Sequence, residues 1–152
     1  MRVMGLALVG LVTSAEVGAR GPSALPCAAT RPEVAQPSKD PNADPFPYGP
    51  WYINADRTIW AGWDAADLHE GQNKVLWIRP QGTQLEISGR RLDSASPPVV
   101  ARIPCCYTTG FQATGITFPT AGCWEVKAKA GSSQLNFVTL VKPKRSREAA
   151  EQ

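Results

Sequence analysis

The middle of the chain contains short segments in which apolar and polar side chains alternate. The clearest runs from residue 124 to residue 130, and it separates apolar from charged side chains: Trp124, Val126, Ala128 and Ala130 on one face, Glu125, Lys127 and Lys129 on the other. A period of two with charges on one side predicts a half-buried antiparallel strand. Residues 134–141 alternate again after a short Gly-Ser loop. The two segments therefore predict a β-hairpin.

Further segments predict an all-β domain between residues 46 and 142. Residues 74–79 are apolar on both faces, which predicts a central strand that is buried on both sides. Shorter segments bounded by Gly, Pro and Asn predict the other strands, at 51–54, 58–63, 84–88, 98–103 and 111–118. Seven to eight short strands with a turn signal every 8–14 residues are typical of an antiparallel β-sandwich.

The N-terminus has the pattern of an export signal. Arg2 precedes ten apolar residues, 3–12, which is too short for a membrane-spanning helix of about 20 residues. Small residues near positions 15 and 19 suit a cleavage site. We therefore predict a signal peptide over 1–19 and a secreted or extracytoplasmic location in the cell envelope. An apolar strand or a leader without a targeting role is the alternative.

Two segments are predicted to be disordered. Residues 20–45 are rich in proline and poor in aliphatic side chains, so they cannot bury enough apolar surface to offset the entropy of ordering. They predict an extended Pro-rich tether. Residues 143–152 predict a charged tail. Pro26 directly precedes Cys27, which argues against lipid modification there and so against a membrane contact through the N-terminus.

Two features resemble the immunoglobulin-like β-sandwich domains of uncharacterised secreted bacterial proteins. Trp77 lies in the predicted central strand, where such domains place a core tryptophan. Residues 120–124, Thr-Ala-Gly-Cys-Trp, resemble the turn whose tyrosine makes a corner hydrogen bond in that family. Trp124 is at the position of that tyrosine, and its indole N–H can donate a hydrogen bond but cannot accept one. Val126 has the position of the second core cysteine, so the resemblance implies no antibody-type disulfide between the sheets.

The four cysteines suggest a disulfide inside the domain. In an exported chain, Cys105, Cys106 and Cys123 most simply form one bond. We expect Cys106–Cys123, with Cys105–Cys123 as the alternative, and the remaining thiol either pairs with Cys27 or stays free. The same three cysteines with His69 also suit a thiol redox or metal-handling protein. However, adjacent cysteines lack the Cys-x2–4-Cys spacing of a zinc knuckle.

Tryptophan is the one residue type in excess, with five in the chain. Most of these rings are expected to fill the core. Trp60 and Trp63 are three residues apart and cannot face the same way on a regular strand, so one of them is a candidate for stacking on a sugar or gripping a partner. With the polar connection that follows them, the candidate ligand-binding residues are Trp51, Trp60, Trp63, Asp64, Asp67 and His69.

The charge and the motif content of the chain narrow the range of functions that we expect. A net charge of +3 with scattered basic residues predicts no nucleic-acid partner. One histidine and no Gly-x-Ser-x-Gly sequence leave no pair of nucleophile and base, so we predict no enzymatic activity and no cofactor or metal. We expect a non-enzymatic recognition or protein-interaction module for a protein or glycan ligand. The alternatives are a carbohydrate-binding accessory domain and the thiol redox or metal-handling protein.

Overall fold

The fold is known from a computed structural model, which describes residues 26–37, 49–63, 67–105 and 107–144. The predicted signal peptide and most of the predicted tail lie outside these ranges. Within them the chain is all-β, with no helix and hence none that is long and apolar enough to cross a membrane. Ten strands are formed: β1 Glu33–Ala35, β2 Gly49–Ile53, β3 Trp60–Gly62, β4 Leu68–His69, β5 Gly71–Ile78, β6 Leu85–Arg91, β7 Val100–Arg102, β8 Phe111–Phe118, β9 Gly122–Ala130 and β10 Ser133–Lys142.

The strands form two sheets that pack against each other. One has six strands in the order β1-β2-β3-β5-β8-β7, and the other has four in the order β4-β10-β9-β6. All neighbouring strands are antiparallel except β4, which runs parallel to β10. The predicted hairpin is confirmed as β9 and β10, which pair from Ser133 opposite Ala130 to Val141 opposite Gly122. The alternating pattern places the apolar face of this hairpin against the six-stranded sheet.

The main core lies between the two sheets. Trp77 and Trp124 are fully buried there, and each indole N–H has an acceptor, as buried tryptophans require. Trp77 Nε1 donates to Thr114 Oγ1 at 2.9 Å. At one side of the core, the rings of Tyr52 and Phe137 stack across the two sheets with centroids 4.2 Å apart. Burial raises the pKa of the Tyr52 phenol.

A second apolar cluster covers part of the outer face of the six-stranded sheet. It contains Trp51, Trp60 and Leu76, all buried. The Trp51 ring lies directly over Gly62, since a Cβ on that glycine would come within 2.7 Å of the ring. The prediction that 74–79 is buried on both sides is explained by this cluster. Trp77 faces the core, while its neighbour Leu76 faces the outer cluster.

Residues 26–37 differ from the predicted disordered tether. Within them β1 pairs with β2, and Thr30 exchanges two hydrogen bonds with Val138 of β10, at 2.8 and 2.9 Å. Glu33 also forms an ion pair with Arg57 at 3.0 Å. The prediction was wrong for this stretch because it used composition alone, whereas backbone pairing and a disulfide at Cys27 order the segment. Residues 20–25 and 38–45 of the predicted tether lie outside the described ranges.

Candidate functional site

A cleft of about 420 Å³ opens at one end of the two sheets. It lies where β5 ends, β6 begins, β7 has ended and β8 begins. Short connections therefore form its rim, and strand ends form its floor. The described residues that line it are Arg79, Gly82, Thr83, Gln84, Leu85, Ile103, Pro104, Cys105, Tyr107 and Gln112.

Arg79 is the central charged residue of this cleft. It directly follows the apolar strand β5, and only 4% of its surface is exposed. Its guanidinium donates from Nε to Gln112 Oε1 at 2.9 Å and from Nη2 to the Tyr107 carbonyl at 3.0 Å. A longer bond of 3.3 Å runs from Nη1 to the Pro80 carbonyl. All three acceptors are neutral.

Gln112 connects this arginine to the segment that follows β7. It lies on β8 at an inward-facing position, and it is buried. While its Oε1 accepts from Arg79, its Nε2 donates to the Pro104 carbonyl at 2.8 Å. Both ends of the amide are therefore used, which fixes its orientation. The backbone N–H of Arg79 also donates to the Gly110 carbonyl at 2.8 Å. These bonds hold the connection between β7 and β8 over the end of the sheets.

The electrostatics of the cleft are unusual for a protein interior. No acidic side chain occurs among its described lining residues, and none of the described ion pairs includes Arg79. A buried cation is costly unless it is paired or fully hydrogen-bonded. Arg79 uses three bonds to described acceptors, whereas a guanidinium carries five N–H groups. The cleft thus offers one positive charge with donor capacity to spare.

Apolar side chains complete the cleft. Leu85 is buried, while Ile103 and Pro104 line the side formed by the segment after β7. On the rim, the Thr83 hydroxyl donates to the Pro80 carbonyl at 2.7 Å. Thr83 also lies against Gly131 in the β9–β10 turn, since a Cβ on that glycine would be 3.0 Å from the Thr83 methyl. The lining therefore combines one cationic group with neutral polar side chains and a smaller apolar part.

The disulfides differ from the sequence prediction. Cys123 is bonded to Cys27, with 5.4 Å between their Cα atoms, so the expected Cys106–Cys123 pair and its alternative Cys105–Cys123 are both wrong. The physical reason is distance: Cys123 begins β9 at the end opposite the cleft, while Cys105 lines the cleft. Cys105 is itself disulfide-bonded, and Cys106 lies outside the described residues.

The corner at the start of β9 is a dense network. Trp124 Nε1 donates to the Thr120 carbonyl at 3.0 Å. Arg91 donates to Thr120 Oγ1 at 3.1 Å and to Asp93 Oδ1 at 2.6 Å. The second oxygen of Asp93 accepts the backbone N–H of Cys123 at 3.1 Å. The hydrogen bond from Arg91 is the main reason that the pKa of Asp93 is lowered. These hydrogen bonds hold the turn before β9 in place beside the disulfide.

The structure does not bring the predicted ligand-binding residues together. Trp51 and Trp60 are buried in the outer cluster, with centroids 6.2 Å apart and planes at 71°. Trp63 is half-buried and stacks on Tyr52 at 5.3 Å. Arg57 also lies over the Trp60 ring at 4.8 Å. Trp51, Trp60 and Trp63 therefore do not form an open face of coplanar rings.

The polar candidates occupy a separate edge. Asp67 accepts from Lys142 Nζ at 2.7 Å, and its carbonyl lies 3.1 Å from His69 Nδ1. His69 is on β4, at the border of the four-stranded sheet. Asp64 lies outside the described residues. No group of three His, Cys, Asp or Glu side chains suited to a metal ion occurs in the described part of the chain.

Sequence reasoning missed the residues that form the cleft. Two signals were present. Arg79 is the charged last residue of the segment 74–79, whose residues 75–78 are apolar, and Gln112 is polar at an inward position of β8. Such exceptions to a pattern mark functional or specially stabilised sites. Comparisons of the chain with protein-family models, with curated proteins and with solved structures found no match.

Proposed function

We propose that this protein is an extracytoplasmic, non-enzymatic recognition module of immunoglobulin-like fold, and that it binds its ligand in the Arg79 cleft. The observation that carries the proposal is a buried arginine without a described acidic partner, lining a cleft of about 420 Å³. The volume is within the range of roughly 300–1,000 Å³ that is usual for small-ligand sites, and such sites use a few fixed polar groups to orient the ligand.

The strand order supports the immunoglobulin-like assignment. Immunoglobulin constant-type domains have strands A-B-E-D in one sheet and C-F-G in the other. The runs β3-β5-β8-β7 and β6-β9-β10 have that connectivity, with β1, β2 and β4 as additions. The hydrogen bond from Trp124 to Thr120 is the counterpart of the tyrosine corner. By this correspondence Trp77 lies on the second strand rather than the third, so it no longer supports the resemblance.

The position of the cleft supports a recognition role. In immunoglobulin variable domains, the B–C and F–G loops of one end contact the antigen. The corresponding connections here are β5–β6, which carries Gln84 on the cleft rim, and β9–β10, whose Gly131 touches Thr83. The correspondence is one of fold alone, so it indicates where a ligand binds and does not identify the ligand.

The disulfides support an extracytoplasmic location. Cys27, Cys105 and Cys123 are all oxidised, and disulfides persist mainly in oxidising compartments. The thiol redox alternative requires a free thiol among Cys105, Cys106 and Cys123, and it is weakened because Cys105 and Cys123 are bonded. The burial of Trp51 and Trp60 weakens the carbohydrate-binding alternative in the same way.

The proposal is tested by mapping ligand contacts on the full chain with its disulfides intact. A fragment library is screened by ¹H–¹⁵N chemical shifts, and we expect saturable shifts clustered at the cleft. Gln84 is exposed on its rim, so Gln84→Trp should obstruct binding without unfolding the domain. Gln72→Trp is the matched control, because Gln72 is exposed on β5 and lies near the end of that strand that is remote from Arg79. Shifts that cluster elsewhere, or equal effects of the two variants, would overturn the assignment of the site.

A further inference from the structure

We propose that the cleft binds the carboxylate of a small apolar acid through the Arg79 guanidinium. This inference rests on the proposed function and specifies the ligand class of the same site. Its basis is the combination of a nine-tenths buried cation, three neutral acceptors and an apolar wall in one cleft.

The positive charge of Arg79 is not balanced by an acidic side chain among the described residues that line the cleft. Removing a guanidinium from water costs several kcal/mol unless an anion or sufficient hydrogen bonds replace the water. The Gln112 amide and the carbonyls of Tyr107 and Pro80 supply hydrogen bonds but no negative charge. A bound anion would supply the missing charge and accept from the N–H groups that these acceptors leave available.

The Arg79 side chain is also pre-organised. Arg79 is held by Gln112, and Gln112 is held in turn by the Pro104 carbonyl. A long side chain that is fixed before the ligand arrives loses little rotamer entropy on binding. A planar guanidinium also matches the two oxygens of a carboxylate, which gives directional preference that a lysine would not give.

The charge of the lining favours a carboxylate over a phosphate. The described lining contains a single cationic side chain. A monoanion neutralises that charge, whereas a phosphate dianion would leave one negative charge in a partly desolvated site. Leu85, Ile103 and Pro104 lie in the same cleft, and they suit an apolar group attached to the acid.

The test uses benzoate, benzamide and inorganic phosphate as probes of the full-length protein. Benzamide has the shape of benzoate without the charge, and phosphate has charge without an apolar group. We expect benzoate to shift the Arg79 Nε and Gln112 side-chain signals saturably, and to bind about tenfold or more tightly than benzamide, as a charge-assisted bond predicts. Phosphate is expected to bind more weakly than benzoate at the same ionic strength.

A pair of variants tests the charge without removing the buried arginine. Gln84→Glu places a competing carboxylate on the rim, whereas Gln72→Glu adds the same charge near the remote end of β5. We expect only Gln84→Glu to weaken benzoate binding, by about fivefold or more, since like charges at short range repel in a partly desolvated site. The thermal stability of both variants reports that the fold is intact.

The outcomes separate this inference from the proposed function. If benzamide binds in the cleft as tightly as benzoate, the carboxylate inference fails while the cleft remains a binding site. Tighter binding of phosphate would also overturn the inference. If none of the probes binds in the cleft, the carboxylate inference fails, and the fragment screen described above then decides the proposed function separately.

Discussion

At the scale of single residues, Trp124 shows how one position sets the geometry of a corner. Its ring is fully buried against Phe118, at 5.5 Å, while its N–H reaches back four residues to the Thr120 carbonyl. A buried indole without an acceptor would lose about 1–3 kcal/mol. The side chain therefore combines core packing with a bond that closes the turn before β9.

We predict that Trp124→Phe destabilises the domain more than Trp124→Tyr. Both substitutions remove ring volume, but only tyrosine keeps a donor that can bond to the Thr120 carbonyl. The difference in free energy of unfolding should be about 1 kcal/mol, the usual net value of one hydrogen bond. Urea unfolding of the two variants measures it. Equal stabilities would show that the corner bond contributes nothing, and the resemblance to the tyrosine corner would lose its energetic support.

The ion pair of Asp93 predicts a pH dependence at the same corner. Because the Arg91 hydrogen bond lowers the pKa of Asp93 below its ordinary value in the folded state, folding favours the carboxylate. This contribution to stability is complete above the unfolded pKa and is lost as the pH falls through the folded pKa. Asp93→Asn should therefore lower stability at pH 6, and its difference from the wild type should shrink in acid.

Thermal unfolding between pH 2 and pH 7 measures this difference. Glu86→Gln is the matched control, since Glu86 is exposed and belongs to none of the described ion pairs. Glu125 contributes in the same direction, because the hydrogen bond from Arg90 lowers its pKa. A gap between Asp93→Asn and the wild type that stays constant from pH 6 to pH 2 would contradict the proposed role of the ion pair.

At the scale of elements, the Cys27–Cys123 bond joins the N-terminal segment to β9 across 96 residues. Closing a loop of that length in the unfolded chain is worth about 4.7 kcal/mol in the chain-entropy model. We predict that the double substitution of Cys27 and Cys123 by serine lowers the free energy of unfolding by roughly that amount. It should also increase amide exchange at Thr30, whose N–H bonds to Val138.

Urea unfolding and hydrogen exchange of the double variant check both expectations. If stability falls but Thr30 keeps its protection, the disulfide acts on the unfolded chain alone and β1 holds the segment without it. If neither quantity changes, the bond does not anchor residues 26–37.

The strands differ in how well a local sequence pattern predicts them. The hairpin β9–β10 could be predicted because its strands have nine and ten residues with clear alternation. The strand β8 could be predicted because it is an eight-residue segment between Gly110 and Pro119. In contrast, β1 has three residues and β4 has two, which is too short for any period. β1 exists because β2, β10 and Cys123 bind its segment, and none of these contacts is visible in a local pattern.

At the scale of the whole molecule, the site depends on contacts that composition cannot reveal. Arg79 and Gln112 are distant in sequence, and they meet because β5 and β8 are neighbours in the sheet. The tryptophans misled the prediction for a related reason. The outer face of the six-stranded sheet buries Trp51 and Trp60 in a second cluster, so an excess of aromatic residues did not indicate an open surface.

The cleft and the disulfide lie at opposite ends of the same sheets, and this separation predicts that they act independently. β6 runs from Leu85 at the cleft to Arg91 at the corner, seven residues or roughly 20 Å at about 3.3 Å per residue. Effects of changes at sites so far apart usually add.

A ligand at 100 times its dissociation constant should stabilise the native state by about 2.7 kcal/mol. Benzoate at that concentration should therefore stabilise the wild type and the Cys27→Ser, Cys123→Ser variant equally. Thermal unfolding of both proteins with and without benzoate tests this. A smaller stabilisation of the variant by benzoate would mean that the corner helps to hold the cleft in its binding shape. Part of the binding free energy would then offset the cost of reordering the far end of the sheets.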